Sequence, residues 1–167
     1  MIERITEDPQ NLNITVWLRE EVTPALHDRI EAFIGDLNTL ESQGKIHSTT
    51  VRIWGSNHHP GNRGATLQIE DSSQEVFRNI ISWHENVEVE LAPAFRTVQT
   101  RSFYCASPCE LISVPVITLV IDDGSDILAV VPHCDQGKFV SVDEFFQSLM
   151  GQLHSKEIED DSILTSA

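Results

Sequence analysis

The chain has 167 residues, a length that suits one domain able to bury its own core. Its 26 Asp and Glu against 11 Lys and Arg leave a formal charge of −15, which argues against binding along a nucleic-acid backbone through neutralising cations. Three cysteines, an odd number, exclude a disulfide framework, and no uninterrupted apolar run approaches the roughly 18 residues of a membrane span.

Lysine is confined to Lys45, Lys138 and Lys156. Many acids with few lysines suggest a halophilic protein, because at molar salt the Debye length falls to about 3 Å and self-repulsion is screened. An ordinary acidic protein is the alternative. The opening MIERITEDPQ has early acids and no apolar h-region, so it does not read as a signal peptide, and a cytoplasmic location is expected.

Residues 1–12 read as a flexible arm, broken by Asp8-Pro9. Asn13 to Arg19 alternates Ile14, Val16 and Leu18 with Thr15 and Trp17, the pattern of a half-buried strand. Thr23-Pro24 reads as N-cap and first turn of a helix. Leu26, Ile30, Phe33, Ile34, Leu37 and Leu40 then form one apolar stripe, and Gly44 stands where a C-terminal cap glycine belongs. Ser48 to Trp54 is a second strand. Strand, long helix and strand make a βαβ unit, hence parallel pairing.

Residues 55–64, GSNHHPGNRG, read as a loop, and Ala65 to Glu70 as a short extra strand. Ser72 with Glu75 fits a capping box ahead of an amphipathic helix that carries Val76, Phe77, Ile80, Ile81 and Trp83 and ends near Asn86. Residues 87–110 read either as a strand or as an irregular excursion. The most apolar stretch follows, Leu111 to Cys134. Its two runs flank Asp122-Asp123-Gly124, a hairpin signal, and their continuity predicts strands covered on both faces. Pro115 marks the first residues of the third core strand, since proline cannot join a ladder interior. Ser141 and Glu144 form another capping box before a helix carrying Val142, Phe145, Phe146, Leu149, Met150 and Leu153. Residues 13–154 therefore form one α/β domain, and 155–167 an acidic flexible tail.

The order β-α-β-α-β-β-α, with Val114-Pro115-Val116-Ile117-Thr118-Leu119 entering the hairpin, resembles the thioredoxin-like superfamily. That resemblance implies a sandwich with a mixed central sheet and a cis proline at Pro115. It also implies a Cys-x-x-Cys where the first strand meets the first helix. Here that junction is Arg19-Glu20-Glu21-Val22-Thr23-Pro24, so the low-pKa thiolate of the redox members is missing. A ferredoxin-like α+β sandwich is the alternative fold. The chain also resembles small acidic haloarchaeal proteins of unassigned role. Some carry a helix-turn-helix label, which a long first helix bridging two strands does not suit.

One group has chemical potential. Cys105 and Cys109 lie four apart, and His133-Cys134 follow the hairpin. If the hairpin end meets residue 105, the four could close a tetrahedral zinc site, zinc being the one cofactor this group would take. A Cys105–Cys109 dithiol is the redox alternative, with Arg101 the nearest cation in sequence and nothing visible to lower a thiol pKa. The plainer reading is that these cysteines are small apolar residues in and around a core. His58-His59 in the glycine loop reads as solvated, and no GK[ST] follows to make a phosphate loop. Trp17 and Trp54 stand on neighbouring strands, opposite in phase to the other core residues; a helix over the second sheet face, or an interface, would cover them.

These readings favour a non-enzymatic protein acting through a protein partner or self-association as a homodimer, with no membrane and no nucleic acid. A thiol or zinc protein using Cys105, Cys109 and Cys134 is the second reading, and a transcription regulator the third.

Overall fold

A computed structural model describes residues 5, 9–20, 22–54, 71–100 and 109–165. Its centre is a four-stranded mixed sheet built from β1 (Asn13–Leu18), β2 (Ser48–Ile53), β6 (Ile117–Asp122) and β7 (Ile127–Val131), in the order β2-β1-β6-β7. β1 runs parallel to β2 and antiparallel to β6, and β7 turns back antiparallel on β6. Three helices accompany it among the described residues: α1 (Pro24–Ser42), α2 (Asp71–Asn86) and α3 (Val142–Thr165). The remaining strands are short. β3 (Val89–Glu90), β8 (His133–Asp135) and β9 (Lys138–Val140) form one small sheet, and β4 (Arg96–Thr100) pairs with β5 (Cys109–Ser113) in another.

The alternation of side chains on β1 divides the core into two layers. Ile14 and Val16 point toward α1 and α3, where Leu37, Leu40, Phe145 and Leu149 close over Leu119, Ile121 and Val131. Trp17 points the other way, where Ile80 and Trp83 of α2 close over Val120 and Val130. Helices thus cover both faces. That makes the chain α/β and sets aside the ferredoxin-like alternative, which keeps its helices on one side. Ala129, Val130 and Val131 are fully buried, as a continuous apolar run covered on both faces requires.

Local chemistry explains the element ends. α1 starts with Pro24 behind an extended Thr23, whose carbonyl accepts from Leu26 N–H and His27 N–H while its side chain makes no cap bond. The helix closes in a Schellman pattern: Lys45 N–H donates to Leu40 O and Gly44 N–H to Glu41 O, each at 2.9 Å, with Gly44 at φ +67°. At α3, Ser141 N–H donates to the Glu144 carboxylate at 3.1 Å and Glu144 N–H donates to Ser141 Oγ at 3.2 Å, a reciprocal capping box. Those donated bonds hold the Glu144 carboxyl below its ordinary pKa. The β6–β7 turn is bound by Asp123, whose carboxylate accepts from Ser125 N–H and Asp126 N–H and whose pKa falls to about 2 in consequence. Asn13 joins three strands: its amide donates to Asp122 and accepts from Ser48 Oγ. Arg29 and Asp143 link α1 to α3 at 2.9 Å on the exposed surface, a contact worth about 0–1 kcal/mol.

Several expectations need correction. The run from Leu111 is two strands, not one: β5 ends at Ser113, and β6 begins at Ile117. Pro115 falls between them because it has no N–H for either ladder. Its peptide bond is trans; the cis bonds among the described residues are Ala92-Pro93 and Val131-Pro132. The stretch 1–12 is not loose throughout. Ile5 and Leu12 are buried in the α1/α3 layer, and Pro9–Asn11 make a turn of 3-10 helix. The stretch 155–167, expected as a flexible tail, is helical to Thr165. The loop 55–64 and the strand expected at 65–70 lie outside the described residues.

Candidate functional site

His133 opens β8, directly after Pro132 at the end of β7, and is 2% exposed. Its Nδ1 lies 2.7 Å from the carbonyl oxygen of Val130. A carbonyl only accepts, so Nδ1 carries the proton and donates. The ring meets Trp83 edge to face, with centroids 6.4 Å apart. Burial pushes the His133 pKa below its ordinary 6.5, against the opposing pull of the Val130 carbonyl and the Asp135 charge. Cys134 is half-buried with a free thiol, and pairs in register with Glu90 of β3 and Phe139 of β9. Consecutive strand residues face opposite sides, so His133 points into the core and Cys134 away from it.

Cys109 opens β5 opposite Thr100 of β4; its side chain, like all of Cys105, lies outside the described residues. Of the four candidate ligands, two are therefore placed, and they do not share a face. Another set can be drawn on the surface. His27, Asp28 and Glu31 on the first turns of α1 bring ligand atoms within 4.8 Å of one another, all exposed. Exposed acids at this spacing are common on so acidic a chain, and nothing else points to an ion there.

The pH dependence of stability follows from the buried histidine. Burial lowers the His133 pKa in the fold, so as pH drops through about 6.5 the unfolded chain takes up a proton before the folded chain does. The contribution of His133 to stability is therefore fully present above about 6.5 and is lost progressively as pH falls from there toward its lower folded pKa, with a slope of up to about 1.4 kcal/mol per pH unit for one proton. Urea unfolding between pH 8 and pH 5 measures this. A His133→Leu chain should lose that part of the slope, and identical slopes for the two chains would show the histidine to be uninvolved. The Asp123 carboxylate acts in a separate window, since its stabilisation fades only between about 3.8 and about 2.

A surface feature stands apart from these side chains. Between Glu41 and Glu70 the sequence contains no acid at all, yet it carries Lys45, Arg52 and Arg63 with three of the seven histidines. The described part of that stretch includes β2, one of the two end strands of the central sheet among the described residues. Val51 is 42% exposed and Ile53 60% exposed, unusual values for apolar residues on a regular strand. On the opposite face of β2, the Arg52 guanidinium carbon stands 6.0 Å from the centre of the Trp17 ring, which in turn stacks on Trp54 at 4.4 Å. Sequence reasoning missed this edge because it weighed the charge of the whole chain. The position of the acids, not their number, was the available signal.

The fold is a mixed α/β domain, and the residues 6–153 that include it match the family described as a helix-turn-helix domain. The chain belongs to that family. No curated protein matches it, and no solved structure does. The thioredoxin-like assignment is overturned, since no thioredoxin-like family matches and the helix-turn-helix family spans nearly the whole chain. The trans bond at Pro115 removes one residue-level basis of that resemblance. Element order misled because a βαβ start followed by a hairpin and a capped helix is shared by unrelated folds. Among the described residues no two helices are joined by a short turn: α1 lies between β1 and β2, α2 leads into β3, and α3 follows β9. No helix among them is long and apolar enough to cross a membrane.

Proposed function

We propose that this protein takes part in transcription regulation through contacts with other proteins, rather than by gripping DNA with its own surface. The observation that carries this reading is the charge of −15 in a member of a helix-turn-helix family. Affinity along a duplex comes largely from Lys and Arg that neutralise phosphates, and a surface dominated by carboxylates repels the duplex. The separation of the described helices by strands supports the same reading, because a recognition helix needs a helix packed across it to enter the major groove.

The second reading is a direct DNA reader, favoured by the family description and by the acid-free stretch 42–69. Fluorescence anisotropy with a labelled mixed-sequence duplex, titrated across a salt series, separates the two. The protein alone should show no saturable binding at any salt. Saturable binding whose logarithm falls linearly with the logarithm of salt concentration would make the chain a direct reader.

A further inference from the structure

We propose that β2 is the contact edge of a homodimer, two copies pairing their β2 strands antiparallel about a two-fold axis at Val51. The inference deepens the reading of a protein that works by contact, and it rests on that reading.

The backbone supplies the first argument. Among the described residues β2 pairs with β1 alone, through an unbroken parallel register from Ser48 to Ile53. Ser48 N–H and Trp54 N–H donate to the carbonyls of Leu12 and Leu18, so the even-numbered amides point into the sheet. The odd-numbered amides then point outward. The first of them, Thr49 N–H, donates to the Glu41 carboxylate at 2.8 Å. Those of Val51 and Ile53 face the side of β2 on which no strand among the described residues pairs. Sheet edges are normally blunted by lysine, proline or a bulge, and β2 has none of these along its length.

Charge supplies the second argument and selects the occupant. A second copy also carries −15, so approach is least repulsive where carboxylates are few, and the β2 edge lies within the acid-free stretch 42–69, with Glu41 at Thr49 the carboxylate bonded to it. The strand is also compatible with itself. With Val51 opposite its own copy, Thr49 faces Ile53 and Thr50 faces Arg52 of the second chain, so no like charges stand directly opposite. Val51 and its copy exchange two ladder bonds. Ile53 N–H donates to the Thr49 carbonyl of the second copy, and Thr49 N–H keeps Glu41. The exposed side chains of Val51 and Ile53 come together along one side of the new pair.

The test is sedimentation velocity of the full chain across a salt series, with Val51→Glu and Val51→Lys as partners in a charge swap. The wild-type chain should dimerise, more tightly as salt screens the mutual repulsion. Each variant alone places like charges face to face and should weaken the dimer at least about tenfold. An equal mixture of the two variants should recover it, because opposite charges then meet. Val51 is exposed enough for both variants to keep the fold, which matching thermal melts would verify. A wild-type monomer at every salt, variants that dimerise as well as the wild type, or a mixture without recovery would each overturn the proposal. The protein-contact reading would survive such a result, since the DNA titration judges it separately.

Discussion

Trp54→Ala should destabilise the protein by about 3–5 kcal/mol, as judged by urea unfolding followed by far-ultraviolet circular dichroism. Trp54 is fully buried immediately after β2, with its backbone N–H donating to Leu18 O and its ring stacked on Trp17 at an interplanar angle of 28°. Removing it opens a cavity beneath α2 and strips one face from the Trp17 ring. The loss is large beside the roughly 5–15 kcal/mol that holds a typical domain together. Trp54→Phe should cost much less. It retains an aromatic plane and removes the indole Nε1, a buried donor with no partner among the described residues. A cost below about 1 kcal/mol for the alanine variant would mean that this ring does not anchor its layer.

Phe145→Ala should cost a similar amount, about 3–5 kcal/mol, in the opposite layer. Phe145 is 1% exposed and lies with Leu149 and Leu37 between α3, α1 and the sheet. The experiment has a built-in second probe. All three tryptophans, Trp17, Trp54 and Trp83, lie in the α2 layer, across the sheet from the substitution. Tryptophan fluorescence therefore reports the face that the substitution does not touch. In a cooperative domain the fluorescence and dichroism transitions should move together to lower urea. A fluorescence transition that stays at the wild-type midpoint would show the two layers unfolding separately, with the sheet failing to couple them.

The two layers also explain what could be read in advance. α1 was legible because its apolar residues recur every three or four positions and its ends carry Pro24 and Gly44, and each signal is local. The hairpin was legible for the same reason, since Asp123 and Gly124 satisfy the turn with bonds to residues at most three away. Trp17 and Trp54 were recognisable as a second buried face by their phase on the strands, and the helix expected to cover them does so. By contrast, β3, β8 and β9 are two or three residues long, and β3 pairs with a segment some forty-five residues later. Such strands exist only because a distant partner supplies their hydrogen bonds, so no local period announces them. Pro115 marked where the third core strand would begin. It could not show that Leu111–Ser113 would leave for a different sheet.

The site was less legible than the fold. His133 looks like a ligand beside Cys134, but its burial and its bond to Val130 follow from the direction in which β7 leaves the sheet. The acid-free stretch from Ser42 to Ile69 is plain in the residues, and its meaning emerges only when β2 proves to be an edge with its apolar side chains uncovered.

The amino-acid order by itself determined the α/β class, the parallel entry unit, the caps at Gly44 and Ser141 and the two-sided burial of the hairpin, because periodicity and capping act within one or two turns of chain, whereas the helix expected to be capped by Ser72 already begins at Asp71. Tertiary structure alone decided which strand lies outermost, which histidine lies inside, and which way the amides of Val51 and Ile53 face. Those are outcomes of packing between segments far apart in sequence, where the energy of each choice depends on a partner that no local pattern names.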